Sequence, residues 1–230
     1  MEQALDICIM AVPERMEHVR QYMLPRLARL SKNVLVFQDK DHRGAWWNCK
    51  RIYQYRKGEG RIKLVIQDDL YFRDDLEIHV RYLMAHLSES VQAISLFTPP
   101  RGAFTQAHEE GYNALESWKL VWPPMMLVNE AWCNGVIQAS RFMNDKEQNS
   151  RHDDTKMQHY AHASGIAPLI VTMSLAQHDL KVPSAQGHPA NLGALERKSF
   201  TYNLWIKPDY YKVLKTHGEG KRHQPAPYSR

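Results

Sequence analysis

Long hydrophobic runs are missing from this 230-residue chain. No apolar stretch approaches the roughly 18 consecutive residues that a membrane span requires, so no membrane association through a spanning helix is expected. The start, Met1-Glu2-Gln3, carries no basic cluster, and Glu14, Arg15 and Glu17 arrive before any apolar block long enough for a secretory core. A cytoplasmic chain is the expectation. Cysteine is scarce as well. Cys8, Cys49 and Cys133 are odd in number, far apart, and form none of the close pairs used for zinc binding or dithiol chemistry. That excludes a disulfide framework and leaves buried thiols in a reducing compartment. Internal repeats and low-complexity blocks are absent too.

What is present is ordinary globular composition, with 43% hydrophobic and 24% charged residues and length enough for one sizeable core. Thirty Lys and Arg against 25 Asp and Glu give a formal net charge of +5 and a pI near 9.0, a mild bias toward polyanionic partners. Most of the excess lies at the end: residues 207–230 carry a net +4, lose apolar periodicity, and contain Gly218, Gly220, Pro225 and Pro227. We divide the chain into a folded domain, 1–206, and a basic C-terminal extension, 207–230, that orders on meeting a partner.

Residues 6–12 form a continuous apolar run ended by Pro13, as in a strand buried on both faces of a mainly parallel sheet. Residues 14–30 place Met16, Val19, Met23, Leu24, Leu27 and Leu30 at helical spacing, with Pro25 expected to kink or divide the helix. Strands follow at 33–37 and 63–66, separated by a helix over 46–55. This β-α-β-α-β order predicts an α/β domain with crossover helices, in which ligands bind beyond the carboxyl ends of the strands. A helix over 74–88 and a strand over 91–97 come next. The aromatic stretch 112–139, with Trp118, Trp122, Pro123, Pro124, Trp132 and Gly135, reads as irregular strands and loops rather than another crossover.

The sharpest local signal is Ile66-Gln67-Asp68-Asp69-Leu70, two carboxylates at the end of an apolar strand. Burying them requires a cation, hydrogen-bond donors or a ligand, and a hard divalent metal such as magnesium or manganese supplies the first. The plainer reading is a turn start. A second acidic pair, Asp153-Asp154, opens a helix closed by Gly165; one of the two serves as a cap, and the other is the informative one. After a strand over 168–173, His178 lies in a polar segment able to return to Asp68 and Asp69 as a further metal ligand.

In this order the parts resemble the GT-A family of glycosyltransferases, nucleotide-sugar-dependent enzymes whose α/β domain carries an Asp-x-Asp motif after a strand. The resemblance runs in outline over residues 6–199. It rests on Val12-Pro13-Glu14-Arg15 after the first strand, the Asp68-Asp69 strand end, the acidic helix start, and the late strand before Gln177-His178. It implies a Rossmann-type, GT-A-like, mainly parallel sheet flanked by helices, and a UDP-sugar donor with manganese or magnesium as cofactor. Asp69 and His178 would hold the metal. Val12, Arg15, Gln38, Asp39, Arg51, Gln67 and Asp68 would bind the nucleotide. Asp154, with Asp153 as the other candidate, would be the base that accepts the acceptor proton, which implies inversion at the anomeric carbon. One departure stands out: the first acidic position is Gln67, an uncharged amide that still hydrogen-bonds a ribose.

The basic extension with Tyr210, Tyr211, His217 and Tyr228 resembles compact phage-encoded transferases that place sugars on hydroxymethylated pyrimidines, making double-stranded DNA the preferred acceptor. Alternatives are the same chemistry on a glycan, a lipid-linked sugar or a protein, or a non-catalytic nucleic-acid-binding module whose acidic pairs are only caps.

Overall fold

The computed structural model describes residues 4–56, 62–98, 107, 109–110, 112, 114–117, 123–144, 148–179 and 199. The 207–230 extension, Trp118, Trp122 and the segment after 179 that includes Pro183 lie outside the described residues.

The first strand, β1 (Leu5–Ala11), is buried at every position, as its unbroken apolar run requires. A helical segment, α1 (13–27), follows: a 3-10 turn Pro13–Arg15, an α turn Met16–His18, a π turn Val19–Met23 and a final turn Leu24–Leu27. Pro25 was expected to kink or divide this helix. The segment changes type at that point: the π turn just before Pro25, with the Leu24 N–H reaching back to the Val19 carbonyl, gives way to the α turn Leu24–Leu27. Then come β2 (Asn33–Gln38), α2 (Ala45–Gln54), β3 (Ile62–Gln67), β4 (Leu70–Phe72), α3 (Leu76–Met84), β5 (Ala93–Ser95) and β6 (Ala114–Glu116). The described chain closes with β7 (Met125–Asn129), α4 (Glu130–Ala139), α5 (Asp153–Ser164), β8 (Leu169–Val171) and β9 (Ala176–His178).

Seven strands form one sheet in the order β2-β1-β3-β7-β5-β8-β6. Strands β1, β2, β3, β5 and β8 run one way, while β7 and β6 run against them, so the fold is α/β with a mixed, mainly parallel sheet. The two-residue period of each strand feeds two cores. Ile7, Ile9, Leu64, Ile66 and Leu127 face α1 and α3, against Val19, Met23, Leu27, Val80 and Leu83. Cys8, Met10, Val65, Met126 and Val128 face α2, α4 and α5, against Ile52, Tyr53, Trp132, Val136 and Met157. All three cysteines are buried thiols, and burial pushes Cys8 and Cys133 up to about 12. Among the described residues, no helix is long and apolar enough to cross a membrane.

The stretch 112–139 departs from expectation, since β7 and α4 are regular. Asn129 caps α4 by accepting the Trp132 N–H at 2.9 Å, and Trp132, Cys133, Val136 and Ile137 form its buried face. Gly135, which argues against a helix by propensity, serves packing: a Cβ there would lie 2.2 Å from the Tyr160 ring. That ring stands edge-on to Trp132, and its hydroxyl donates to Gln92 Oε1 at 2.8 Å, so it has little room to retreat. Gly135→Ala is therefore expected to lower stability by about 1–3 kcal/mol in a denaturant titration, despite the better helix propensity of alanine. A neutral or stabilising result would show that Tyr160 moves freely.

Candidate functional site

The parallel strands deliver their carboxyl ends to one edge of the sheet, and the loops there carry the polar residues singled out by sequence. Strand β3 is buried through Ile66, and the Gln67 N–H donates to the Pro124 carbonyl at 2.8 Å, fixing the strand exit. Asp68 and Asp69 follow, each 4% exposed. Asp68 is fully engaged: Oδ2 accepts the Val12 N–H at 2.7 Å, and Oδ1 accepts Arg15 Nη1 at 2.7 Å. The same Nη1 lies 3.3 Å from Asp69 Oδ2. Burial pushes the Asp68 carboxyl above its ordinary range, Arg15 and the Val12 N–H pull it down, and the neighbouring Asp69 charge adds to the rise.

His178 reaches this pair on a strand, not in a loop as the sequence reading had it. Strand β9 pairs antiparallel with β4, with His178 opposite Leu70, and the Asp179 N–H donates to the Asp69 carbonyl at 2.7 Å. His178 Nδ1 thereby sits 3.2 Å from Asp69 Oδ1. The nitrogen is buried and makes no hydrogen bond among the described residues, and the ring is held edge-on by Phe97.

This pair passes a simple test for a divalent ion. Neighbouring ligands of an octahedral ion with bonds of about 2.1 Å stand about 3 Å apart, close to the separation of these two atoms. A carboxylate with one imidazole suits manganese better than magnesium. Among the described residues, no group of three His, Cys, Asp or Glu side chains converges, so these two would leave the other positions to phosphate oxygens and water.

The second loop of this edge follows β2. Asp39 is buried, its N–H donates to the Ala11 carbonyl at 2.7 Å, and its carboxylate oxygens accept the Arg43 N–H (3.0 Å) and Gly44 N–H (2.8 Å). Its visible work is thus to build the loop rather than to present a free carboxylate. Gly44 has φ of 105°, and a Cβ would come within 2.8 Å of Arg151 Cβ, so only glycine fits. Arg51 donates to the Gln38 carbonyl at 3.1 Å and lies 4.4 Å from the Trp47 ring centre.

The close approach at Gly44 brings the third element in. The Trp46 N–H donates to the Arg151 carbonyl at 2.9 Å, so the start of α5 is pinned to the start of α2 at the same edge. His152 is the N-cap by geometry, with no side-chain capping bond to the helix; Asp153 accepts the Asp154 N–H, and Asp154 accepts the Thr155 N–H. The two carboxylates differ in access. Asp153 is buried, and that burial, with help from the Asp154 charge, raises it to about 7, whereas Asp154 is half-buried.

A pH test follows. Between pH about 4 and 7 the folded chain keeps an Asp153 proton that the unfolded chain has lost, so this stabilisation is full below about 4 and gone once pH rises through 7. Asp153→Asn is expected to raise the melting temperature at pH 8, by up to about 4 kcal/mol of stability, with the gap closing toward pH 4. A gap independent of pH would mean that Asp153 titrates normally.

The sequence reading missed how Arg15 spans both carboxylates and that a two-stranded sheet carries His178. Three residues lie between β1 and Arg15, and three-residue strands carry no periodicity to read.

No protein-family model matches the chain, and no curated protein matches it. Among solved structures it is similar to a Drosophila β-1,4-galactosyltransferase 7 mutant in complex with manganese, UDP-Gal and xylobiose, at 12% identity and a TM-score of 0.47, over 94% of this chain and 82% of that one. It is also similar to a CMP:2-keto-3-deoxy-manno-octonic acid synthetase complexed with CTP, at 12% identity and a TM-score of 0.46, over 73% and 89% of the two chains. Staphylococcus aureus TarS (residues 1–349) matches at 12% identity and a TM-score of 0.43, over 74% of this chain and 57% of that one. All three scores fall below 0.5, and the functional reading rests on the residues themselves.

Proposed function

We propose that this chain is a GT-A-like, metal-dependent glycosyltransferase that moves a hexose or pentose from a UDP-sugar to an acceptor hydroxyl, with hydroxymethylated pyrimidine in DNA as the preferred acceptor. The observation that carries the reading is the buried Asp69–His178 pair, 3.2 Å apart, on the sheet edge that also collects Arg15, Asp68 and the start of α5. A divalent ion bound by that pair would offset charge on the departing nucleoside diphosphate. Arg15 and the N–H groups of the loop after β1 would hold the nucleotide, with Gln38, Asp39, Gln67 and the Arg51–Trp47 stack beside it. Asp154, the more accessible of its pair, would accept the proton of the acceptor hydroxyl as that oxygen bonds to the anomeric carbon. The bond from that carbon to the diphosphate oxygen breaks with its electrons, and the configuration inverts.

The DNA acceptor draws support from charge. Arg43 and Arg51 are exposed beside the half-buried Trp47, 5.1 Å and 4.4 Å from its ring centre, Lys40 and Lys50 are exposed on the same loop-and-helix segment, and residues 207–230 add a net +4. Binding of hydroxymethylcytosine-containing duplex is expected to weaken steeply with salt, with a flatter slope after deletion of residues 215–230, and UDP should be released from a UDP-sugar when that duplex is added. Salt-independent or absent DNA binding, with turnover on an oligosaccharide, would move the acceptor to the glycan class. No UDP release with any acceptor, and no metal-dependent UDP binding, would leave only a binding module.

A further inference from the structure

We propose that Arg15 is a resident counter-cation that offsets half the charge of the Asp68–Asp69 pair until a diphosphate arrives, so that the site takes up its divalent ion together with the nucleotide rather than before it. The inference deepens the proposed function and rests on it.

The Arg15 side chain is only 10% exposed, which separates it from an ordinary solvated surface arginine. It stands on the 3-10 turn Pro13–Arg15, whose proline fixes the start of the turn, and the preceding Val12 N–H is itself bonded to Asp68. The loop after β1 and the carboxylate pair are therefore one unit. One guanidinium nitrogen touches both acids, 2.7 Å from Asp68 Oδ1 and 3.3 Å from Asp69 Oδ2. Asp68 has both oxygens committed, while Asp69 turns its other oxygen to His178.

Taken by themselves, the two carboxylates and the guanidinium carry a single net negative charge. A divalent ion arriving alone at the Asp69–His178 side meets that single charge with a fixed cation close behind it, in a buried place where screening is weak. A nucleoside diphosphate reverses the balance. Its oxygens offer negative charge to the ion and to the planar guanidinium fork, which suits phosphate as well as carboxylate. The ion and the nucleotide then raise one another's affinity by the same factor, as linkage requires. In the nucleotide-free site Arg15 acts on the ion through Asp69, and once the diphosphate arrives its guanidinium meets the nucleotide directly.

The test is manganese binding to the full chain without nucleotide, followed by the electron paramagnetic resonance signal of free Mn²⁺, and then repeated with UDP. Arg15→Gln is expected to bind manganese alone at least about 10-fold tighter than wild type, and the enhancement by UDP should shrink by a similar factor. Arg15→Lys keeps the charge and should stay near wild type in manganese binding without UDP. Asp69→Asn should take up no manganese. If Arg15→Gln binds manganese no tighter than wild type while Asp69→Asn still loses it, the counter-cation role is overturned and the proposed metal site stands. If Asp69→Asn binds manganese as wild type does, both fall. Should Arg15→Gln fail to fold, Asp68→Asn serves instead. With one negative charge removed and Arg15 retained, manganese affinity without UDP should drop at least about 10-fold, and an unchanged or higher affinity overturns the proposal.

Discussion

Asp154→Asn is expected to lower the single-turnover rate of sugar transfer by about 10²- to 10⁴-fold while UDP affinity stays close to that of the wild type. The amide is nearly isosteric and still accepts the Thr155 N–H through its oxygen, so the first turn of α5 keeps its bond. What it loses is the ability to take a proton from the acceptor hydroxyl. Asp153→Asn makes the contrast. That side chain is buried and raised to about 7, a value that would suit a base, yet it has no access comparable to its half-buried neighbour. The same change there should alter stability with pH and leave transfer largely intact. Full activity in Asp154→Asn refutes the assignment, and loss in Asp153→Asn alone moves the base by one residue.

The second large effect is expected at the opposite side of the site. Asp69→Ala should abolish the manganese-dependent part of UDP binding, because it removes the carboxylate oxygen that stands 3.2 Å from His178 Nδ1 and leaves one imidazole as the protein's whole contribution. His178→Ala should act in the same direction. Asp68→Asn should not abolish it: Asp68 spends its oxygens on Val12 and Arg15, and the asparagine oxygen still accepts one of those bonds. Isothermal titration of UDP with and without manganese, across the three variants, reads the split directly. Retained metal dependence in Asp69→Ala would move the site elsewhere.

Much of the first half of the fold is legible from residue order alone. The run 6–12, the spacing of Val19, Met23 and Leu27, and the strand ending at Asp68-Asp69 each carry a strong local period, and β1, α1, β2, α2 and β3 fall where those periods place them. Legibility fails where local preference and tertiary packing disagree. Gly135 and the neighbouring aromatics weaken the helical pattern of α4, yet the glycine is there to let the Tyr160 ring lie across the helix. Strands β4 and β9 are three residues each and exist through pairing with one another, which no period announces. At the site, the Asp68-Asp69 pair is legible as carboxylates at the end of a buried strand, and Asp153-Asp154 as one acid more than a helix cap needs. The commitments of Asp39 to its own loop and of Arg15 to both acids depend on distances across 4 to 54 residues of chain, and only the folded arrangement supplies them.

The central claim is that the sheet edge at Asp69 and His178 binds a nucleoside diphosphate through a divalent ion. The most direct measurement is the thermal unfolding of the wild-type chain with UDP, once in manganese and once in EDTA. With UDP at about 100 times its Kd in manganese, stabilisation of about 2.7 kcal/mol is predicted, with a shift near zero in EDTA. Equal shifts in the two buffers would contradict the account.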